Sequence, residues 1–513
     1  MLYSTSVKLR LAVSVGSNAF RALISFATGL LIARALNPDG YGDLMFLLGS
    51  FVAIRSLMDL GSSNAFFTFL SQRARGRRFY LLYFSWLALQ FAATLALLWL
   101  IIPSGLFEKI WLGHNREVVM LAFVAAFMQQ QLWQMVGQIG EAMRKTIKIQ
   151  MMSLAVALLY FMIILSLSVY GRLSMEKVLF ILAGQYALAA VLAYLFLKED
   201  RAVTPIEEKS VSEILWDYWK YCKPLVALAL VSFAYDFADK WMLQRFGGAA
   251  QQGYFQIASQ FAAVSLLATA SILNVFWKEI ADAWEKQDRA RVAMLYRKVS
   301  RGLVMLGAIA TGLLLPWAEQ IVNVFLGAAY TNAWPVLAIM LIYPIYQSMG
   351  QIGGTMFLAS GQTHRYTFIS IAVMLFSIPV SYLVQAPASS SWIPGLELGA
   401  FGMACKMVMI GIVSVNIQAW FIARYGGWKF DWAFQVVGIT LMIGLGYLVK
   451  QLTSLLWMLD GTGCAELIVP ILFTGIVYVL CVGWAIWLLP WLIGVDRQEL
   501  AGLLHKLKRG GFS

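Results

Sequence analysis

Charge is scarce in this chain. Asp, Glu, Lys and Arg make up 13% of its 513 residues, about half the share of a soluble domain. Histidine is rarer still: His114, His364 and His505 fall in three separate connectors, which argues against a histidine-built metal cluster. The four cysteines, Cys222, Cys405, Cys464 and Cys481, show no CxxC spacing. They are expected to pack, forming neither a disulfide framework nor a metal site. No metal and no cofactor is therefore expected. Long polar segments are also missing, which leaves no room for a folded domain outside the apolar runs and excludes soluble chemistry.

What the chain does contain is apolar sequence. Hydrophobic residues make up 60% and the mean hydropathy is +0.73. The apolar runs lie roughly at 11–36, 44–70, 79–103, 117–140, 149–170, 176–197, 222–246, 253–277, 301–325, 333–359, 366–386, 397–423, 431–453 and 466–491. Each is long enough to cross a hydrocarbon core ~30 Å thick as a helix. The first is too long for the core of a cleavable signal and reads as span 1. Pro316 and Glu319 in span 9 suggest a kink near its outer end. The fold class expected is an all-α polytopic membrane protein of about 14 transmembrane helices.

An even number of spans puts both termini on one side, and Lys and Arg choose the side. With a cytoplasmic N-terminus, 28 of the 39 Lys and Arg residues face the cytoplasm. Only Lys109, Arg116, Arg172, Lys177 and Lys450 face outward. The net charge of +13 is thus accounted for by anionic headgroups, and nucleic acid is not needed to explain it. The longest connectors, about 198–221 and 278–300, fall on the cytoplasmic side.

The chain also repeats itself. Arg34 and Gly42 match Arg245 and Gly253, and Gln134, Gly137, Gln138, Ile139, Gly140 and Met143 match Gln347, Gly350, Gln351, Ile352, Gly353 and Met356. Six spans per copy is an even number, so the copies share one orientation, a transporter architecture. The expected organisation is a six-helix bundle over 1–210, a second over 211–424, and spans 13 and 14 with a basic tail over 425–513. The two bundles are expected to lie parallel around a central cavity.

Polar residues inside the spans fall in stripes. Span 1 carries Asn18 and Arg21, span 2 Arg55 and Asp59, and span 7 Asp236, Asp239 and Lys240. Spans 4 and 10 carry Gln130, Gln134, Gln138, Gln347 and Gln351. An arginine at mid-membrane costs at least ~2.5–3.5 kcal/mol, so it normally faces a bundle interior or water. Two readings stand for the rest. Arg55 with Asp59, and Asp236 with Lys240, are four apart and can simply neutralise each other. The amides can be interhelical glue. Alternatively the stripes line a cavity in which guanidinium suits phosphate and amides suit sugar hydroxyls.

The segment Arg34-Ala35-Leu36-Asn37-Pro38-Asp39-Gly40-Tyr41-Gly42 resembles the signature of bacterial polysaccharide and O-antigen flippases. Asp239-Lys240, Arg245-Phe246-Gly247 and Gly253-Tyr254 look like the matching span 7–8 region. Asn37 departs from the glycine common there, at a turn position that tolerates Asn. These flippases belong to the multidrug/oligosaccharidyl-lipid/polysaccharide exporter superfamily. The resemblance implies a non-enzymatic transporter of the bacterial inner membrane, with both termini cytoplasmic. It would move a polyprenyl-diphosphate-linked oligosaccharide to the outer leaflet by alternating access, for O-antigen or exopolysaccharide biosynthesis. Spans 13 and 14 resemble the extra pair that accompanies a lipid-tail groove in the peptidoglycan branch. Arg21, Arg55, Asn18, Gln134, Gln138 and Gln351 are the expected substrate-binding residues. Asp236, Asp239 and Asp59 are the expected groups for coupling to H+ or Na+, with the membrane potential as the alternative energy source. Expected partners are the lipid-linked oligosaccharide and membrane lipids, with room for contacts to other polysaccharide-assembly proteins. A multidrug exporter of the same superfamily, or a membrane polymerase or glycosyltransferase, are the rival readings. Arg21 and Arg55 disfavour a cavity for cationic drugs. The short outer connectors, which lack a carboxylate pair, disfavour a polymerase.

Overall fold

The computed structural model describes the backbone of residues 7–198, 209–265, 276, 279–390, 393–429, 431–457, 464–495 and 497–499. Among the described residues there is no strand. Helix is what a single segment must adopt in hydrocarbon, where each backbone N–H and C=O has to be satisfied within that segment.

Among the described residues, twelve segments are long and apolar enough to cross a membrane. The first, Gly16–Asp59, has 44 residues. That is ~66 Å of helix, about twice a hydrocarbon core; it holds span 1 and the first part of span 2, the rest of which is the helix Ser62–Gln72. The helix breaks between them at Asn37, which takes φ 58° and ψ 172° just before Pro38. Asn tolerates positive φ better than most residues, and Pro38 has no N–H to contribute to the helix before it. Span 8 is described over Ala249–Ser265; residues 266–275 and 277 of its expected length lie outside the described residues. Each of the other eleven segments carries one expected span. The kink expected in span 9 is present: Arg289–Leu314 gives way to a tight turn at Leu315–Trp317 and resumes as Ala318–Leu326.

Two connectors hold more structure than their composition suggested. The segment before span 7 is helical over Val211–Cys222. Ser210 and Glu213 form a reciprocal cap, with Ser210 Oγ accepting from the Glu213 N–H at 3.3 Å. Leu215, Trp216 and Trp219 of this helix are exposed while Ile214 is buried. Interleaved Glu213, Asp217 and Lys220 hide such a helix from a search for apolar runs. On the opposite side, Ser104–Trp111 is a short helix with Phe107 and Trp111 buried.

By packing, the chain divides into two units, residues 1–256 with 374–400, and residues 257–373 with 401–513. The first unit holds spans 1–7. Its centre is aromatic: Phe66 stacks on Tyr83 at 4.0 Å and on Phe79 at 5.5 Å. Gly42 and Gly253, equivalent positions of the two repeats, meet inside this unit. A Cβ on Gly42 would stand 1.8 Å from the Ala249 carbonyl oxygen, and one on Gly253 would stand 2.3 Å from that of Pro38. The second unit contains spans 9, 10, 13 and 14 packed through Met305, Ile345, Met442, Tyr478 and Leu492. Spans 9 and 13 touch backbone to backbone at Gly312 and Gly446. Small residues permit that approach where no hydrophobic effect drives helices together. The Tyr478 hydroxyl is within bonding distance of the Ile309 carbonyl at 3.1 Å and the Met442 carbonyl at 3.2 Å.

Candidate functional site

The polar stripes of spans 1, 2 and 4 converge within the first unit. Span 4 runs through a π-helical turn at Met128–Leu132 and continues as Trp133–Ala142. A π turn inserts one residue into the helical ladder, which resets the face presented beyond it. Past that turn Gln134, Gln138 and Glu141 stand at i, i+4 and i+7, on one face. The Arg55 guanidinium of span 2 donates to the side-chain oxygen of Gln134. A charge-assisted bond of this kind is worth roughly 1.5–3 kcal/mol. It leaves the other guanidinium N–H groups of Arg55 for a further acceptor. Arg55 also lines a narrow crevice with Gln130, Gln131 and Phe123. Gln138 Oε1 is buried without a protein hydrogen-bond partner.

Arg21 of span 1 donates to Asn18 Oδ1 at 3.1 Å, one turn away. The Glu141 carboxylate lies within electrostatic reach of Arg21. Sequence spacing had shown no acid beside Arg21, because Glu141 is on another helix. Glu141 was therefore missed. The available signal was its position seven residues past Gln134 on the same face.

Asp59 does not pair with Arg55. Within span 2 the helix breaks after Asp59, and the chain turns at Leu60 and Gly61, both with positive φ. The next helix, Ser62–Gln72, begins directly against the carboxylate. Asp59 accepts from the Ser63 N–H at 2.8 Å and from the hydroxyls of Ser62 and Ser63 at 2.9 and 2.8 Å. A helix N-terminus attracts an anion, which accounts for this choice. Three donors from the next helix make Asp59 a capping group here.

Span 7 places its charges differently. Asp239 accepts from Ser381 Oγ of span 11 at 2.5 Å. Ser377, one turn earlier than Ser381, is fully buried, and its hydroxyl has no protein partner. Asp236 meets Lys240 through its backbone oxygen, at 3.2 Å from Nζ. The Lys240 stem lies flat on Gly49 of span 2, where a Cβ would come within 2.7 Å of Lys240 Cδ. The serines of span 11 were also missed; uncharged hydroxyls in a span carry little signal in a sequence.

Gln351 lies in the second unit, on the helix Tyr343–Ala359. Its neighbour Gln347 accepts from the Tyr343 hydroxyl at 2.8 Å. The same unit buries Lys406 of span 12 to 3% exposure. An ionisable residue inside a span is itself a signal, and Lys406 was legible on that ground. Among the described residues, no three His, Cys, Asp or Glu side chains converge to hold a metal ion.

No family model and no curated protein matches this sequence. Solved structures do match it in three dimensions. A lipid II flippase, MurJ, in an inward closed conformation superposes with a TM-score of 0.68 at 14% identity, covering 93% of this chain and 99% of MurJ. The chain shares this fold. A multidrug resistance MATE family transporter of the MOP superfamily in an inward-facing conformation gives a TM-score of 0.58 at 15% identity, over 79% of this chain and 95% of the other. An outward-facing MATE structure gives 0.55 at 14% identity, over 82% and 95%. The MurJ-like fold makes this a multi-pass membrane protein with two helical bundles, and the neighbours that share the fold are transporters.

Proposed function

We propose that this protein is a flippase that moves a polyprenyl-diphosphate-linked oligosaccharide across the bacterial inner membrane by alternating access. The observation that carries the reading is the face formed by Arg21, Arg55, Gln134 and Gln138. Two guanidinium groups inside spans are expensive to keep. Here Arg55 is bonded to Gln134 and not to Asp59, and the acid within electrostatic reach of Arg21, Glu141, is on another span. Arg55 is held by an amide, which orients it without cancelling its charge. Fixed cations beside amides suit a diphosphate joined to a sugar. The MurJ-like fold supports a lipid-linked substrate, and the asymmetry of Lys and Arg supports cytoplasmic termini. Moving a diphosphate outward from a negative interior is downhill by ~2.3 kcal/mol per charge per 100 mV. A cation held at Asp239 beside Ser381, or at Asp236, is the other route by which energy would enter. Surface-polysaccharide assembly is the process such a flippase would serve.

A second reading, export of amphipathic cations, draws on the MATE neighbours and on the carboxylates Glu141, Asp236 and Asp239. One assay separates the two. Proteoliposomes would carry a polyprenyl-diphosphate oligosaccharide in one leaflet, with an impermeant glycosidase reporting its arrival in the other. Flipping by the wild type that falls at least tenfold in Arg21→Ala and Arg55→Ala is the expected result. Failure to flip several such glycans, together with export of a cationic dye, would replace the flippase reading with the exporter one. Asp236→Asn and Asp239→Asn that both keep the wild-type pH and sodium dependence would remove the carboxylates from the coupling scheme.

A further inference from the structure

A groove of about 320 Å³ lies in the first unit between span 3 and the helix Val211–Cys222. Leu82, Tyr83 and Trp86 form one wall, and Ile214, Tyr218 and Trp219 form the other. These walls are almost wholly apolar, so the groove suits a hydrocarbon chain. Asp59 closes one end, its carboxylate engaged by Ser62 and Ser63. Ser62 in turn accepts from Trp86 Nε1 at 3.2 Å, so this end of the groove is tied to the turn after span 2.

Its lining carries one cation, Lys223, besides the hydrogen-bonded Asp59, and the segments bordering it are basic. Arg75 lies over the Phe79 ring at 5.2 Å, and Phe79 packs against the groove residue Tyr218 at 5.9 Å. Segments 73–78 and 209–223 together carry Arg73, Arg75, Arg77, Arg78, Lys209, Lys220 and Lys223 against only Glu213 and Asp217. Lys209 is already paired with Asp217 at 2.6 Å. The helix that forms the wall exposes Leu215, Trp216 and Trp219. Aromatic and basic side chains together on an amphipathic helix are the pattern of an element lying at a headgroup boundary.

We infer that this groove is a binding site for an anionic glycerophospholipid, with one acyl chain between span 3 and the helix Val211–Cys222 and the phosphate at Lys223 and Arg75. An uncharged or zwitterionic lipid would fill the same walls but leave the bordering basic segments without a net counter-charge. The inference is independent of which substrate the protein transports and of whether it transports at all.

Native mass spectrometry of the purified protein in detergent tests it, with phosphatidylglycerol and phosphatidylcholine of identical chains offered in equal amounts. Each basic side chain near a membrane surface contributes roughly a factor of five. The first lipid retained should be phosphatidylglycerol, and Arg75→Gln with Lys223→Gln should cut that preference roughly thirtyfold. Val226→Phe, which fills the groove and leaves the charges, should weaken retention of that first lipid. Equal retention of the two lipids, or a preference untouched by the variants, would overturn the site. Displacement of phosphatidylglycerol by an equimolar polyprenyl phosphate would reassign the groove to a prenyl chain. A second measurement needs no charge variant and no groove-filling variant. Phosphatidylglycerol with brominated chains should quench tryptophan fluorescence, and Trp219→Phe should remove a resolvable part of that quenching. Identical quenching in wild type, Trp219→Phe and Trp86→Phe would place the lipid elsewhere.

Discussion

Replacing Gly42 with alanine puts a methyl carbon 1.8 Å from the carbonyl oxygen of Ala249 and 2.9 Å from the amide nitrogen of Gly253. Carbon makes favourable contact only at about 3.5 Å, so the two segments must separate by roughly 1.5 Å or more. The obstacle is backbone on both sides, and no flexible side chain is present to swing away. Overpacking of a tight contact typically costs about 1–3 kcal/mol, and this geometry belongs at the upper end. The gain in helix propensity from glycine to alanine, about 1 kcal/mol, offsets only part of it. Thermal unfolding of the purified protein, followed by intrinsic fluorescence, reads the net effect. Gly184→Ala is the control, because Gly184 lies on a helix with nothing within 4 Å of its would-be Cβ. That variant should melt at or slightly above the wild-type temperature, and Gly42→Ala clearly below it. Gly253→Ala should resemble Gly42→Ala, since its Cβ would meet the Pro38 carbonyl at 2.3 Å. If Gly42→Ala and Gly184→Ala unfold together, the close approach of the two repeats is not a packing constraint and the reasoning fails.

Three further outcomes follow from single contacts. A double-mutant cycle of Arg55→Ala and Gln134→Leu should show a coupling of about 1.5–3 kcal/mol in unfolding; additive effects would deny the bond between them. Asp59→Ala should lower stability by about 1–2 kcal/mol, as loss of a helix cap does, without altering the ion dependence of transport; a changed ion dependence would return Asp59 to the coupling machinery. Arg301 is bonded to Asp431 and to the Trp491 carbonyl and lies over the Phe434 and Trp491 rings. Arg301→Ala leaves the Asp431 charge partly buried and should cost about 3 kcal/mol, seen as early proteolysis near spans 13 and 14; wild-type protease resistance would count against it.

The membrane class, the spans and the break between spans 1 and 2 were legible in the sequence, because each depends on local rules. A run of twenty apolar residues has to cross as a helix, since its backbone bonds close within the segment. Asn37 with Pro38 marks where that helix cannot continue straight, whatever surrounds it. The stripes of polar residues were legible for the same reason, as spacing along one helix. Their partners were not. Arg55 bonds Gln134, 79 residues away, in preference to Asp59 four residues away. Asp239 meets Ser381 at a separation of 142, and the acid within electrostatic reach of Arg21, Glu141, is on another span. Each choice depends on how far a helix is rotated and how closely its neighbour approaches. The contacts at Gly42, Gly253, Gly312 and Gly446 and the π turn in span 4 set those quantities. The helix Val211–Cys222 and its groove belong with them, since a connector so charged gains its structure from a cap and from the aromatic wall it packs against. Sequence determined which residues must hide from lipid; tertiary packing alone decided which of them meet, because a helix satisfies its own backbone and leaves its side chains to be paired by whatever it packs against.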